Sequence, residues 1–264
     1  MSTNEPYRTD LAYIHDAGYG AHARAAAAWL LRTLCNYHIG PGRIIELGCG
    51  SGISSQVLAA AGFDVLGYDL SRALIAIARK RVPDAEFRVE SYLTARLPPC
   101  VAVTAFGECF NYRFDKHHSP ARLTLLFRRI FEALTPGGLF AFDVAGPGRV
   151  PGGFRTHHRE ENDWATLVTV EEDSERRLLT RRITTFRKAG KHFRRAREVH
   201  RLRLYPPAEL AKQLRAVGFR VGLVQGYGKR HFPPGLVGFL ARKPRKGGRV
   251  PAKKNRPGSN RPPA

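Results

Sequence analysis

Seven residues, Glu46 to Gly52, read E-L-G-C-G-S-G, and Asp69 closes the apolar run V-L-G-Y-D seventeen residues further on. Glycines at this spacing let a backbone take positive φ and pass close to a ligand. A carboxylate at the end of the neighbouring strand can accept hydrogen bonds from both hydroxyls of a ribose. A dinucleotide fingerprint counted from Gly48 would need a third glycine where Ile53 stands. No Lys or Arg in the turn could neutralise phosphates, and Glu46 repels them. The same carboxylate suits a ligand with cationic amino and sulfonium groups.

A turn of this kind needs a strand before it and a helix after it. Residues 43–47 form a short apolar run, and residues 53–61 have helical periodicity ending at Gly62. Strands are expected at 64–68, 86–89 and 101–106, with helices at 21–34 and 72–80. Ser119 and Pro120 open the clearest helix, where Leu123, Leu126, Phe127, Ile130, Phe131 and Leu134 share one face before TPGG. The strand LFAFDVA follows. Alternation of this kind predicts an α/β, doubly wound, mainly parallel sheet, with ligands at the carboxyl ends of its strands. Residues 150–205 differ: apolar and charged residues alternate between the turns EEDSE and KAGKH, predicting an antiparallel β meander before the last helix, 207–217. Strands at 220–225 and 235–241 complete the sheet.

These motifs resemble the class I, Rossmann-like S-adenosylmethionine-dependent methyltransferases, in particular the bacterial small-molecule branch. IIELGCGSG is similar to the family's first motif, VLGYDLS to its ribose-binding strand end, and LTPGGLFAFDV to its later helix exit and strand. The resemblance implies a seven-stranded sheet with an antiparallel last strand and a domain over residues 1–241. Residues 1–40 would be a helical lid and 150–205 an inserted cap. It implies S-adenosyl-L-methionine as cofactor, held by Glu46, Gly48, Cys49, Gly50, Gly52, Asp69 and Leu70, with Phe106 and Gly107 beneath the methionine part. The adenine edge falls to Glu90 or Ser91, because the aspartate usual there is replaced by RVESYL. Each residue also has a plain structural role open to it: Cys49 as a small filler, Gly52 as a helix-packing position, Asp69 as an N-cap, Glu90 as a solvated carboxylate, Phe106 as core.

Methyl transfer is an in-line displacement on an activated carbon, so alignment supplies much of the catalysis and a base is optional. Three segments offer groups for the acceptor. GECFNY carries Glu108, Asn111 and Tyr112; the N-terminal segment carries Tyr13, His15, Tyr19 and His22; the meander carries Trp164, His200 and Tyr205. Glu108, Tyr112 and His15 are the candidate catalytic residues, and Tyr19, Asn111, Trp164 and His200 the candidate acceptor contacts. The tetrapeptide typical of base amino-methylases is missing after strand four, and LPPC precedes that strand, which disfavours a cytosine C5 enzyme. The reading is therefore transfer to N or O of a small molecule. An RNA or protein methyltransferase and a non-catalytic cofactor-binding protein remain the alternatives.

Composition sets the frame. The chain has 264 residues, 43% of them apolar, and a net charge of +22. Nine Lys or Arg and no acid fall in residues 242–264, leaving about +13 for the rest. That Pro-, Gly- and cation-rich tail predicts disorder, with nucleic-acid contact as a possible use. Cys35, Cys49, Cys100 and Cys109 lack zinc or disulfide spacing, so no metal is expected. The opening MSTNEPYRTD lacks signal-peptide character, there is no long apolar run, and a cytoplasmic monomer or homodimer without membrane partner is expected.

Overall fold

The computed structural model describes residues 6–245. Most of the tail expected to be disordered lies outside them. Two helices come first, α1 (Thr9–Tyr19) and α2 (Ala21–Asn36). The alternating unit follows as β1 (Arg43–Leu47), α3 (Ile53–Ala60), β2 (Asp64–Asp69), α4 (Arg72–Arg81), β3 (Glu86–Val89), β4 (Cys100–Ala105), α5 (Pro120–Ala133) and β5 (Leu134–Ala145). Then come four meander strands, β6 (Phe154–Glu161), β7 (Trp164–Asp173), β8 (Leu178–Ala189) and β9 (His192–Arg203). The chain closes with α6 (Pro207–Val217), β10 (Arg220–Val224), the short pair β11 (Gly226–Tyr227) and β12 (Arg230–His231), and β13 (Leu236–Arg242).

The main sheet has seven strands in the order β10-β13-β5-β4-β1-β2-β3, with β13 antiparallel to both neighbours and the other pairs parallel. Side chains alternate between its two faces, as the two-residue period of a strand requires. Ile45, Leu47, Phe140 and Phe142 pack with Leu126, Phe127 and Ile130 of α5 and Leu210 and Leu214 of α6. Ile44, Leu139 and Ala141 pack with Leu30 and Leu34 of α2 and Leu58 of α3. Helix start signals act as expected: Ser71 accepts from the Leu74 amide at 3.1 Å and Ser119 from the Arg122 amide at 3.2 Å.

Two boundaries differ from the sequence reading. β5 begins at Leu134 and takes in TPGG, because Leu134 already pairs with Cys100 before a register shift. β13 runs through Arg242, and the Lys243 ammonium donates to the carbonyls of Phe131 and Leu134 at 2.7 Å. The folded chain therefore extends past 241.

The meander forms its own antiparallel sheet in the order β6-β7-β8-β9. Val168, Val170, Leu179 and Leu202 on its inner face pack on Ala145 and Val150, so the cap closes over the carboxyl end of β5. Helix α1 bridges the two sheets. Its buried Asp10 pairs with Arg187 and Arg194 of the cap, while Asp16 pairs with Arg81 of α4 at 2.8 Å. Among the described residues no helix is long and apolar enough to cross a membrane.

Candidate active site

The glycine turn lies at the carboxyl edge of β1. The amides of Gly48 and Cys49 both donate to the Tyr68 carbonyl, at 2.7 and 3.0 Å, which stitches the turn to β2. Gly48, Gly50 and Gly52 all have left-handed φ, +74°, +57° and +74°. A Cβ on Gly48 would stand 2.6 Å from the Cys109 sulfur, whereas one on Gly50 would meet nothing within 4 Å. Asp69, at the end of β2, accepts from the Gly50 amide at 2.9 Å and the Ser71 amide at 2.8 Å. Burial raises its pKa, and no cation is among its hydrogen-bond partners. The carboxylate stands in the lining of a cleft, where its remaining acceptor capacity can meet the hydroxyls of a ribose.

A cleft opens here. Gly48, Gly50, Asp69, Leu70, Phe106 and Gly107 line it, as do Tyr7, Tyr92, Phe114 and Asp115. Its lining includes two carboxylates and no Lys or Arg, so it favours a cationic ligand over a phosphate.

Other residues expected at the cofactor stand elsewhere. Glu90 and Ser91 are not in the cleft lining; Ser91 instead hydrogen-bonds Asp115, which is. Gly52 caps α3, where a Cβ would press on Ala78 at 3.0 Å, so close helix packing explains it. Glu46 is buried, with both carboxylate oxygens taken by the hydroxyls of Ser54 and Ser55. It borders a smaller hollow behind the turn, together with Cys49.

A second cavity, about 300 Å³, lies between α1 and the inner face of the cap. Tyr7, His15 and Tyr112 line both this cavity and the cleft and form their common wall. The Tyr7 and Tyr112 hydroxyls are 3.0 Å apart, and burial raises both their pKa values. Burial also lowers His15 to about 4, so its imidazole is neutral at pH 7. His200 is buried, its Nε2 lies 3.0 Å from Glu198, and its Nδ1 has no partner. Because a carboxylate can only accept, Nε2 carries a proton toward Glu198, and in the neutral imidazole Nδ1 is then the accepting nitrogen.

The loop after β4 corrects two expectations. Glu108 sits at φ +60° between two guanidinium groups, Arg149 Nε at 2.8 Å and Arg181 on its other oxygen. Burial works to raise its pKa, but Arg181 and Arg149 overcome this and hold it at about 2. Glu108 is thus an anchor for two arginines, not a proton acceptor. Asn111 is fully buried and spends its amide on Ala145 and Arg203, accepting from the Ala145 amide at 3.0 Å. It ties the end of β5 to the end of β9 and cannot reach an acceptor. Trp164 is likewise turned away, packed on Gly18 and absent from the cavity lining. Tyr19 does line the cavity, its hydroxyl 3.1 Å from Thr166.

Sequence reasoning missed Tyr7, Asp143, Arg149 and Arg181. Asp143, in β5, is fully buried and receives the amides of Gly107 and Glu108 at 3.0 and 2.6 Å and the Tyr227 hydroxyl at 3.0 Å, with His22 Nε2 also 3.0 Å away. It fixes the strand-four loop from below. The available signal was an acid inside the apolar run LFAFDVA.

Residues 19–223 match the family model described as a methyltransferase domain. The chain belongs to this methyltransferase family. Its sheet is the class I S-adenosylmethionine-dependent methyltransferase fold, and the cleft lies at that fold's ligand edge. In sequence the methyltransferase is 26% identical over 187 residues to the putative methyltransferase YqeM of Bacillus subtilis, covering 68% of this chain and 74% of that protein. It is 34% identical over 125 residues to a trans-aconitate 2-methyltransferase of Acidovorax, a match spanning 47% of this chain and 45% of the relative. The solved structure of CalS10 with SAM bound, an amino pentose methyltransferase from Micromonospora echinaspora, has a TM-score of 0.70 at 20% identity, covering 87% of this chain and 96% of that one.

Proposed function

We propose that the cleft holds S-adenosylmethionine and that the cavity beneath the cap holds a small-molecule acceptor, which receives the methyl group on nitrogen or oxygen. The common wall of Tyr7, His15 and Tyr112 carries this reading, because it sets two ligand spaces side by side. A cavity of about 300 Å³ suits a small molecule. The relatives named for trans-aconitate and for an amino pentose add support, since both of those acceptors are small.

Bound S-adenosylmethionine supplies an activated methyl carbon. Asp69 holds the ribose hydroxyls, while Gly48 and Gly50 give its methionine part close backbone approach. Phe106 and Gly107 floor the cleft, and Leu70 and Tyr92 flank its far end. Tyr7 and Tyr112, both protonated at neutral pH, orient the acceptor by hydrogen bonds. His200, held through Nε2 by Glu198, takes the proton that the acceptor releases at Nδ1. α1 and the cap, joined by the Asp10 ion pairs to Arg187 and Arg194, cover the site and would limit the water that reaches it.

Calorimetry with S-adenosylmethionine and S-adenosylhomocysteine tests the cleft, and labelled methyl transfer tests the cavity. His200→Gln is expected to leave cofactor affinity within about threefold and to lower turnover by roughly 10²–10⁴. Unchanged turnover would remove His200 from the proton path.

A further inference from the structure

The two ligand spaces differ in charge. The cleft lining contains Asp69 and Asp115 and no Lys or Arg. The cavity lining contains Arg149, Arg155 and Arg181 and no Asp or Glu. Only the three-residue wall separates them. A basic chain would scatter arginines over both; here they fall on one side.

The arginines are also incompletely matched. Arg149 and Arg181 have side chains only 13% and 18% exposed, and they share the single carboxylate of Glu108. Two largely buried guanidinium groups against one carboxylate leave one positive charge without a counterion. Arg155, whose side chain has no hydrogen bond or ion pair among the described residues, adds a second. Arg181 spends one N–H on Tyr112 at 2.9 Å and one on Glu108, and Arg149 spends only its Nε–H. The remaining N–H groups face a cavity in which water, or an anion, must meet them. Glu108 fixes both forks in place, so little ordering is needed when an anion arrives. The neighbouring His157 agrees: burial and the Arg155 and Arg181 charges lower its pKa, which keeps it from adding a further cation.

Resting on the reading of the cavity as the acceptor site, we infer that the acceptor is a small organic carboxylate. Its anionic group docks on Arg149, Arg155 and Arg181 while its nucleophilic nitrogen or oxygen faces the wall. Apolar walls from Val150, Val168, Leu179 and Ile183 hold its carbon skeleton.

The test uses the full chain saturated with S-adenosylhomocysteine and a panel of amino- and hydroxybenzoates, each paired with its primary amide. Calorimetry is expected to show each acid that binds doing so at least tenfold more tightly than its amide. Arg155→Ala, at an exposed side chain with no ion pair among the described residues, is expected to weaken acid binding roughly tenfold and to leave S-adenosylhomocysteine affinity unchanged. Arg181→Lys, which keeps the charge but loses the fork, is expected to weaken acids more than amides. Equal affinity for acid and amide, binding of neither, or no effect of both variants would overturn the inference. Failure of S-adenosylhomocysteine itself to bind would instead strike the reading of the cleft.

Discussion

Arg181, from the cap, donates to the hydroxyl of Tyr112, from the loop after β4, at 2.9 Å. The same guanidinium holds Glu108, so one side chain of the meander clamps two residues of the parallel domain. The cap is therefore wired to the site by charge as well as by the apolar contact of its inner face.

Removing Glu108 breaks that clamp. Glu108→Ala leaves Arg149 and Arg181 facing each other and is expected to cost about 3–5 kcal/mol, measured by denaturant unfolding. Because its folded pKa of about 2 lies below the ordinary 4.5, Glu108 contributes stability above pH 4.5. That contribution is lost as pH falls toward 2. Glu108→Gln should lack this acid transition, and an unchanged profile would argue against the ion-pair account.

His15 shifts stability in the same direction for a different reason, because burial disfavours its charged form. Its folded pKa of about 4 lies below the ordinary 6.5, so the unfolded chain takes up its proton first on acidification. Stability is expected to fall between pH 6.5 and 4 on this account and to level below it. His15→Gln should flatten that part of a plot of Tm against pH.

Asp69→Ala removes the carboxylate that the cleft presents to a ribose. The affinity for S-adenosylmethionine is expected to drop at least tenfold by calorimetry. Adenosine-lacking fragments such as methionine should show no such difference.

Gly48 and Gly50 separate folding from binding. Gly48→Ala meets the Cys109 sulfur and a disfavoured φ, so Tm and cofactor affinity should both fall. Gly50→Ala shares the disfavoured φ but meets no atom within 4 Å, and Gly50 lines the cleft, so affinity should fall by more than stability does. Equal stability losses in the two variants would contradict this division.

The parallel domain was legible because its signals are local. Gly48, Gly50 and Asp69 lie within one crossover unit, and strand, turn and helix announce themselves by periodicity. The acceptor side was less legible. Arg181 sits in a strand of alternating apolar and charged residues, where an arginine reads as solvent-facing; its burial depends on Glu108, far away in sequence. β6 has every residue exposed, so it has no apolar alternation to mark it. α1 was expected only through the resemblance, as part of a helical lid, because its own buried face includes Asp10, an acid compensated by cap arginines. Asn111 looked like a pocket residue because a polar side chain after a catalytic-edge strand usually is one. Its partners, Ala145 and Arg203, come together only when the cap folds back.

The division of labour between the two sheets bears on how such a protein can change over generations. The cleft residues proposed to hold the methyl donor, such as Asp69 and Gly50, sit on the parallel domain, while residues 154–203 contribute Arg155, Arg181 and His200 to the cavity as a single continuous stretch. On the proposed reading, variation confined to that stretch alters which compound is recognised without disturbing the methyl source. The limit to such drift is Glu108: any replacement of Arg181 has to reckon with the buried carboxylate it leaves behind.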